Sequence, residues 1–350
     1  MTLYRRFYPA LSLLDPESAH GLTIAALKSG LLPGAPTVKD ESLHVDVFGI
    51  KFPNPVGLAA GFDKNAEVYR AMLRMGFGFV EVGSITPRPQ TGNPRPRIFR
   101  LSEDRAVINR LGFNNKGAAD ARLNLSRRRK GRGIIGVNVG ANKDTADRMA
   151  DYVVGFKALA EYADYVTVNI SSPNTPGLRG LQNRNELEEL LGRMTEARTE
   201  MGFDVPLLLK IAPDVKDRQL ADIVSLVTAN EFDGMIVSNT TIDERDSLLS
   251  AKRKEEGGLS GRPLFKLSTS VLRSVYQATD GKLPLVGVGG VSNGWDAYEK
   301  IRNGASLVQL YTAMTFEGPH LAYRIAKELR DLLAADGFEN ISAVVGIDAR

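Results

Sequence analysis

From residue 54 onward the chain alternates short, almost wholly apolar runs with longer segments whose apolar residues recur at helical spacing. The runs are NPVGLAAG (54–61), FGFVEVGS (77–84), GIIGVNVG (133–140), DYVTVNIS (164–171), PLLLKIAP (206–213), DGMIVSNT (233–240), PLVGVGGV (284–291) and ASLVQLYT (305–312). Runs without a polar face belong to parallel strands buried on both sides. The segments between them include NAEVYRAMLRMG, RNELEELLGRMTEARTEMG and DRQLADIVSLVTANEFDG, and end near Gly or Asn. Eight β–α units in strict order predict an α/β fold, the TIM (β/α)8 barrel. A doubly wound sheet uses the same units, but no GxGxxG follows the first strand.

Two features precede the repeat. Residues 3–33 read as two short helices: Leu3, Phe7, Leu11 and Leu14 make one apolar stripe, and Asp15 with Pro16 starts a second helix carrying Ala19, Leu22, Ala26 and Leu27. LHVDVFGIKF (43–52) reads as a hairpin turning at Gly49 and covering the bottom of the barrel. The expected division is a helical extension over 1–40 and a barrel over 41–350.

Composition narrows the chemistry. The 350 residues, 43% hydrophobic, suffice for a large core, yet no run approaches the roughly 18 apolar residues of a membrane span. The N-terminus lacks the pattern of a secretion signal. With no cysteine in the chain there are no disulfides, thiolate metal sites, iron–sulfur clusters or cysteine nucleophiles, which fits a reducing cytoplasm. Net charge is only +4, and the densest basic run, SRRRKGRG (126–133), has no interleaved aromatics. It reads as a solvated helix end, and no nucleic-acid partner is expected.

In such a barrel chemistry gathers where strands end. Here those ends hold Ala60, Gly61, Phe62, Asp63 and Lys64; Gly83 and Ser84; Asn138; Asn169, Ser171, Ser172 and Asn174; Lys210; and Ser238, Asn239 and Thr240. A lone Asn at a strand end is commonly a turn residue. Several converging amides suit a flat ligand that alternates N–H and C=O, and two lysines complement an anion. VINRLGFNNKG (107–117) adds Asn109 and Asn114, the latter equally a helix cap, while GVGG (287–290) and GGLSG (257–261) bare the backbone for a phosphate. The three histidines, His20, His44 and His320, lie outside this set, and no strand end carries a carboxylate pair. Metal ligation and a Ser-His-Asp triad are therefore not expected. A phosphate-binding lyase with Lys64 or Lys210 as a Schiff-base lysine stays open as the alternative.

LAAGFDKNAE, EVGSITPRPQTGNPRPRIFRL, INRLGFNN, NISSPNTPGLRGLQ, KIAPD, SNTT, GGLSGRPL, VGVGG and GASLVQLYT, in this order, closely resemble the class 2 dihydroorotate dehydrogenases. The resemblance implies an enzyme of pyrimidine synthesis with one FMN per chain, oxidising dihydroorotate to orotate and passing electrons to a membrane quinone. It puts the catalytic base at Ser172, where class 1 relatives have cysteine. It carries Ala60, Gly61, Phe62, Asp63, Lys64, Ser84, Asn138, Asn169, Lys210, Ser238, Gly261, Gly290, Tyr311 and Thr312 onto FMN contacts. Lys64, Asn109, Arg110, Leu111, Gly112, Phe113, Asn169, Asn174, Asn239 and Thr240 match the orotate site, and His20 with Arg100 the polar pair of the quinone site. The N-terminal helices then correspond to a membrane-facing hood, with Arg5, Arg6 and Lys28 toward anionic headgroups. A monomer held peripherally on the cytoplasmic side of the cell membrane is expected.

Overall fold

The computed structural model describes every residue except 1–3, 5–7, 9–11, 37, 39, 130, 203 and 244. Leu3, Phe7 and Leu11 of the expected first stripe, and Arg5 and Arg6 expected toward headgroups, lie outside the described residues. Helix α1 (Pro16–Lys28) begins as its sequence predicts, with Pro16 in the first turn and the Asp15 carboxylate accepting the Ser18 N–H at 2.9 Å.

Strands β1 (Val45–Val47) and β2 (Ile50–Phe52) form the expected hairpin, Val45 opposite Phe52. Its two turn residues, Phe48 and Gly49, have φ of 58° and 69°, the all-left-handed geometry that matches the twist of a two-residue hairpin. The Phe48 ring lies against Gly234, at the start of a barrel strand, so the hairpin closes the N-terminal end.

The remaining strands are β3 (Val56–Leu58), β4 (Phe79–Ile85), β5 (Ile98–Leu101), β6 (Ala106–Asn109), β7 (Ile134–Val139), β8 (Tyr165–Asn169), β9 (Leu207–Ile211), β10 (Gly234–Val237), β11 (Gly258–Gly261), β12 (Leu285–Val288) and β13 (Leu307–Leu310). All eight predicted runs supply a strand of one closed parallel barrel, ordered β3-β4-β7-β8-β9-β10-β12-β13, with β13 returning to β3. Around it run α2 (Tyr69–Arg74), α3 (Gly117–Ser126), α4 (Arg148–Leu159), α5 (Arg184–Met201), α6 (Asp217–Ala229), α7 (Phe265–Ala278), α8 (Gly294–Arg302), α9 (Thr312–Glu317) and α10 (Leu321–Ala335). The chain's single tryptophan, Trp295, stands 60% exposed on α8 beside Tyr298.

The barrel interior changes character with height because alternate residues of each strand face inward. At the bottom, Phe52 meets Phe79 edge-on at 5.1 Å between ring centres, and Phe79 meets Tyr165 at 6.3 Å. Gly57 and Gly136 make room, since a Cβ on either would overlap the Phe79 or Tyr165 ring. Two residues up β4 the interior turns polar, around Glu81, and two further it opens at Gly83.

Two readings are revised. GGLSG is not a bare turn: β11 pairs antiparallel with β6, and β6 with β5, in a small sheet beside the barrel mouth. The basic run after α3 is not wholly solvated either. The Arg128 side chain is buried, donating to Tyr162 O at 3.0 Å and Gly133 O at 2.9 Å and pairing with Asp164.

Candidate active site

One buried carboxylate organises the mouth from below. Glu81, fully buried, accepts from Asn138 Nδ2 at 2.8 Å, Tyr165 Oη at 3.1 Å, Thr167 Oγ1 at 3.2 Å and Gln309 Nε2 at 2.8 Å. A carboxylate only accepts, so Asn138 must turn its amide nitrogen down and its oxygen up. That oxygen receives the Ser84 hydroxyl and, at 3.2 Å, Asn169 Nδ2, which also reaches Ser84 Oγ at 2.8 Å. Asn169 Oδ1 is thereby left to accept from Ser171 Oγ at 2.9 Å and Asn239 Nδ2 at 3.3 Å, and Asn239 Oδ1 takes the Thr240 N–H at 2.8 Å. The donor and acceptor senses of three strand-end asparagines follow from one residue.

Ser172 follows β8 in a loop fastened from two sides. Arg179 donates to Ser171 O at 3.1 Å and Thr240 O at 3.0 Å and is held by Asp214 at 2.8 Å; Asn93 donates to Asn174 O at 3.0 Å. Ser172 Oγ accepts only the Asn174 N–H, at 3.3 Å, so no imidazole or carboxylate activates it among the described residues. Lys210 on β9 is buried and makes no hydrogen bond or ion pair within the described residues. Burial lowers its pKa, opposed by the Glu81 charge.

A cavity of about 490 Å³ joins these groups to the N-terminal segment. Ser84, Asn169, Ser172, Asn174, Lys210, Ser238, Asn239 and Thr240 line its inner end, and Tyr4, Tyr8, Ala19, His20, Leu27 and Arg100 its outer end. The two ends meet where Lys64 Nζ lies 3.2 Å from His20 Nε2. Burial and the Lys64 charge push the His20 pKa down to about 3, so the neutral ring accepts that contact; burial brings Lys64 down to about 8. Edge-on contacts of Phe62 with His20 and Tyr311, at 5.3 and 5.5 Å, form an aromatic wall here. Arg100 donates to Ser12 O at 2.9 Å, and α1 is tied down by Glu17, which takes both Arg97 Nε at 3.0 Å and Nη2 at 2.6 Å.

Of the predicted site residues, Ala60, Gly61, Phe62, Asn109, Leu111, Gly112, Phe113, Gly261, Gly290, Tyr311 and Thr312 also line the cavity. Three do not. Asn138 stands one layer below, Asp63 accepts the Glu67 and Val68 N–H groups at 2.7 and 2.8 Å and shapes its loop, and Arg110 turns away to Glu255 at 2.9 Å and the Phe99 ring. Asn115 rather than Asn114 takes the N–H at the start of α3, from Gly117 at 2.7 Å; Asn114 lines the cavity, and its Oδ1 is buried without a hydrogen-bond partner among the described residues. Glu81 and Gln309 escaped the sequence reading. The available signal was a charge inside FVEV, a run otherwise apolar and buried throughout.

The donor set fits a flavin mononucleotide. A lone buried ammonium and a row of amides suit the ring, and the bare backbone at Gly289 and Gly290, with φ of 110° and 79°, leaves room for a phosphate.

Residues 42–333 match the family model described as dihydroorotate dehydrogenase. The chain is 56% identical to the dihydroorotate dehydrogenase (quinone) of Parvibaculum lavamentivorans, covering 99% of both, and 51% identical to that of Azorhizobium caulinodans, covering 100% of both. Among solved structures it is similar to DHODH of Eimeria tenella in complex with ferulenol, with TM-score 0.92 and 41% identity over 96% of each chain. The ligand-free form from the same organism gives TM-score 0.90 over 96% of this chain. With eight barrel strands, an N-terminal helix over the cavity mouth and relatives matched along nearly their whole length, the chain belongs to the dihydroorotate dehydrogenase family, in its quinone-dependent class 2.

Proposed function

We propose that this protein oxidises dihydroorotate to orotate in pyrimidine biosynthesis, with Ser172 as the base, FMN as the hydride acceptor and a membrane quinone as the final acceptor. The observation that carries this reading is the single cavity joining Ser172, the asparagines and Lys210 to His20 and Arg100 beneath α1. Family membership decides for the flavin dehydrogenase over the Schiff-base lyase.

When bound, FMN supplies a two-electron acceptor toward the substrate and a donor toward the quinone. The residues do the rest. Asn109, Asn174 and Asn239 present amides to the pyrimidine edges, and Lys64 faces the substrate anion. Ser172 Oγ takes the proton from the substrate carbon adjacent to the one that loses hydride. Lys210 offers its unpartnered ammonium to the negative charge that reduction adds. Ser84, Asn169 and Ser238 would hold the ring, with Asn138 orienting Asn169 from the layer below, and Gly261, Gly290, Tyr311 and Thr312 would hold the phosphate end.

The 1–40 extension serves quinone access. Leu13, Leu14, Leu22, Leu31 and Leu32 are exposed there, by 37 to 87%. No helix among the described residues is long and apolar enough to cross a membrane. The attachment proposed is peripheral, through this apolar patch and on the cytoplasmic side; Lys28, expected to face anionic headgroups, is instead paired with Glu67 at 3.0 Å. The test is spectroscopic: the purified protein is yellow, and dihydroorotate added without oxygen bleaches it. A colourless protein, or a flavin that dihydroorotate leaves oxidised, overturns the reading.

A further inference from the structure

Fully buried lysines are rare and normally face a carboxylate. Lys300 on α8 is fully buried, and no ion pair forms at it among the described residues. Its ammonium donates to Ser268 Oγ and Thr269 Oγ1, each at 2.9 Å, and lies 5.0 Å from the centre of the Phe265 ring. Its stem runs close under β12, since a Cβ on Gly287 would stand 3.1 Å from Lys300 Cδ.

These partners all lead to one place. Ser268 Oγ lies 3.1 Å from Gly289 O, and the Gly289–Gly290 loop rests on the first turn of α7 so closely that a Cβ on Gly290 would come within 2.6 Å of Phe265 Cα. The far side of that loop is cavity wall, continuous with Gly261 and Thr312. Lys300 is therefore a cation one loop thickness behind the phosphate end of the site. Burial brings its pKa down to about 7, only partly opposed by Glu299 and Asp296 of its own helix, so near neutral pH the amine is only partly protonated and an anion across the loop would favour its charged form.

We propose that Lys300 is the buried countercharge for the phosphate of bound FMN, acting through the Gly289–Gly290 loop without touching the ligand. The inference rests on the reading that this loop receives the phosphate. A unit charge across one loop in a low-dielectric interior is worth about 10- to 100-fold in affinity for an anion. It gives nothing to a ligand lacking the phosphate.

The experiment compares dissociation of FMN and riboflavin from the wild-type holoprotein, loaded with one flavin or exchanged to the other, and from Lys300→Met and Lys300→Gln. Wild type is expected to hold FMN far more tightly than riboflavin. Both variants should release FMN about 10- to 100-fold more readily and riboflavin about as wild type does. An equal loss for both flavins makes Lys300 a mere prop for the loop and overturns the proposal, as does unchanged FMN affinity. A wild type that does not discriminate between the flavins instead removes the phosphate reading beneath it. Lys300→Gln keeps a donor toward Ser268, so the comparison survives if the methionine variant fails to fold.

Discussion

Ser172 has the isolation of a weak base held in place. Its loop is tied by Arg179 and Asn93, yet its oxygen meets only a backbone N–H, so its loss should spare the fold and strike the chemistry. Ser172→Ala is expected to slow anaerobic flavin bleaching by about 10²- to 10⁴-fold with FMN content unchanged; stopped-flow absorbance measures both. Lys64 makes the pH prediction. With its pKa near 8, it loses its charge as pH rises through that value, so KM for the anionic substrate should climb above about pH 8. Lys64→Met should raise KM at lower pH and abolish that climb. Glu81 separates charge from hydrogen bonding. Glu81→Leu strands four donors and should cost roughly 2–4 kcal/mol in urea unfolding. Glu81→Gln should cost less, because it keeps one acceptor and Gln309 Oε1, now partnerless, can take its new N–H. Ser172 and the asparagines were legible from motif and resemblance. Glu81 was not, because only a closed ring brings the donors of β7, β8 and β13 around one side chain of β4.

At the level of elements, the eight barrel strands were legible because burial on both faces leaves an unbroken apolar run. The β5–β6–β11 sheet was not: its third strand, GLSG, has glycines where contacts are tight, and a Cβ on Gly261 would stand 2.5 Å from Arg105 O, so packing mimics a turn signature. The start of α1 was read correctly from Asp15 and Pro16, but its anchorage was not, since Glu17 and Arg97 stand 80 positions apart. That anchorage makes the hood a docked part of the molecule, over the cavity end opposite Ser172. Deleting residues 1–35 should abolish liposome binding and quinone reduction while dihydroorotate still bleaches the flavin. Arg100→Ala should weaken quinone use with the bleaching rate intact, as read by separate half-reaction kinetics. A truncated protein that reduces a long-chain quinone in liposomes as well as the full chain does would refute the hood reading.

For the whole molecule, the barrel is closed below by Phe48, Phe52, Phe79 and Tyr165, so substrate, proton and quinone traffic all pass the upper rim. In the site proposed for it, FMN would also be a structural element, since the cavity walls come from most of the barrel strands. By mass action, FMN at 100 times its dissociation constant should add about 2.7 kcal/mol to stability, and stripped protein should melt at a correspondingly lower temperature. Trp295 gives this equilibrium an optical readout. It is the chain's single indole, exposed on the same helix that carries Lys300. Its fluorescence overlaps the near-ultraviolet absorption of a flavin, so a flavin in the barrel acts as an energy-transfer acceptor for one emitter at a fixed position. Cofactor occupancy is then reported by the unlabelled protein itself, brightening as flavin leaves and dimming as it returns.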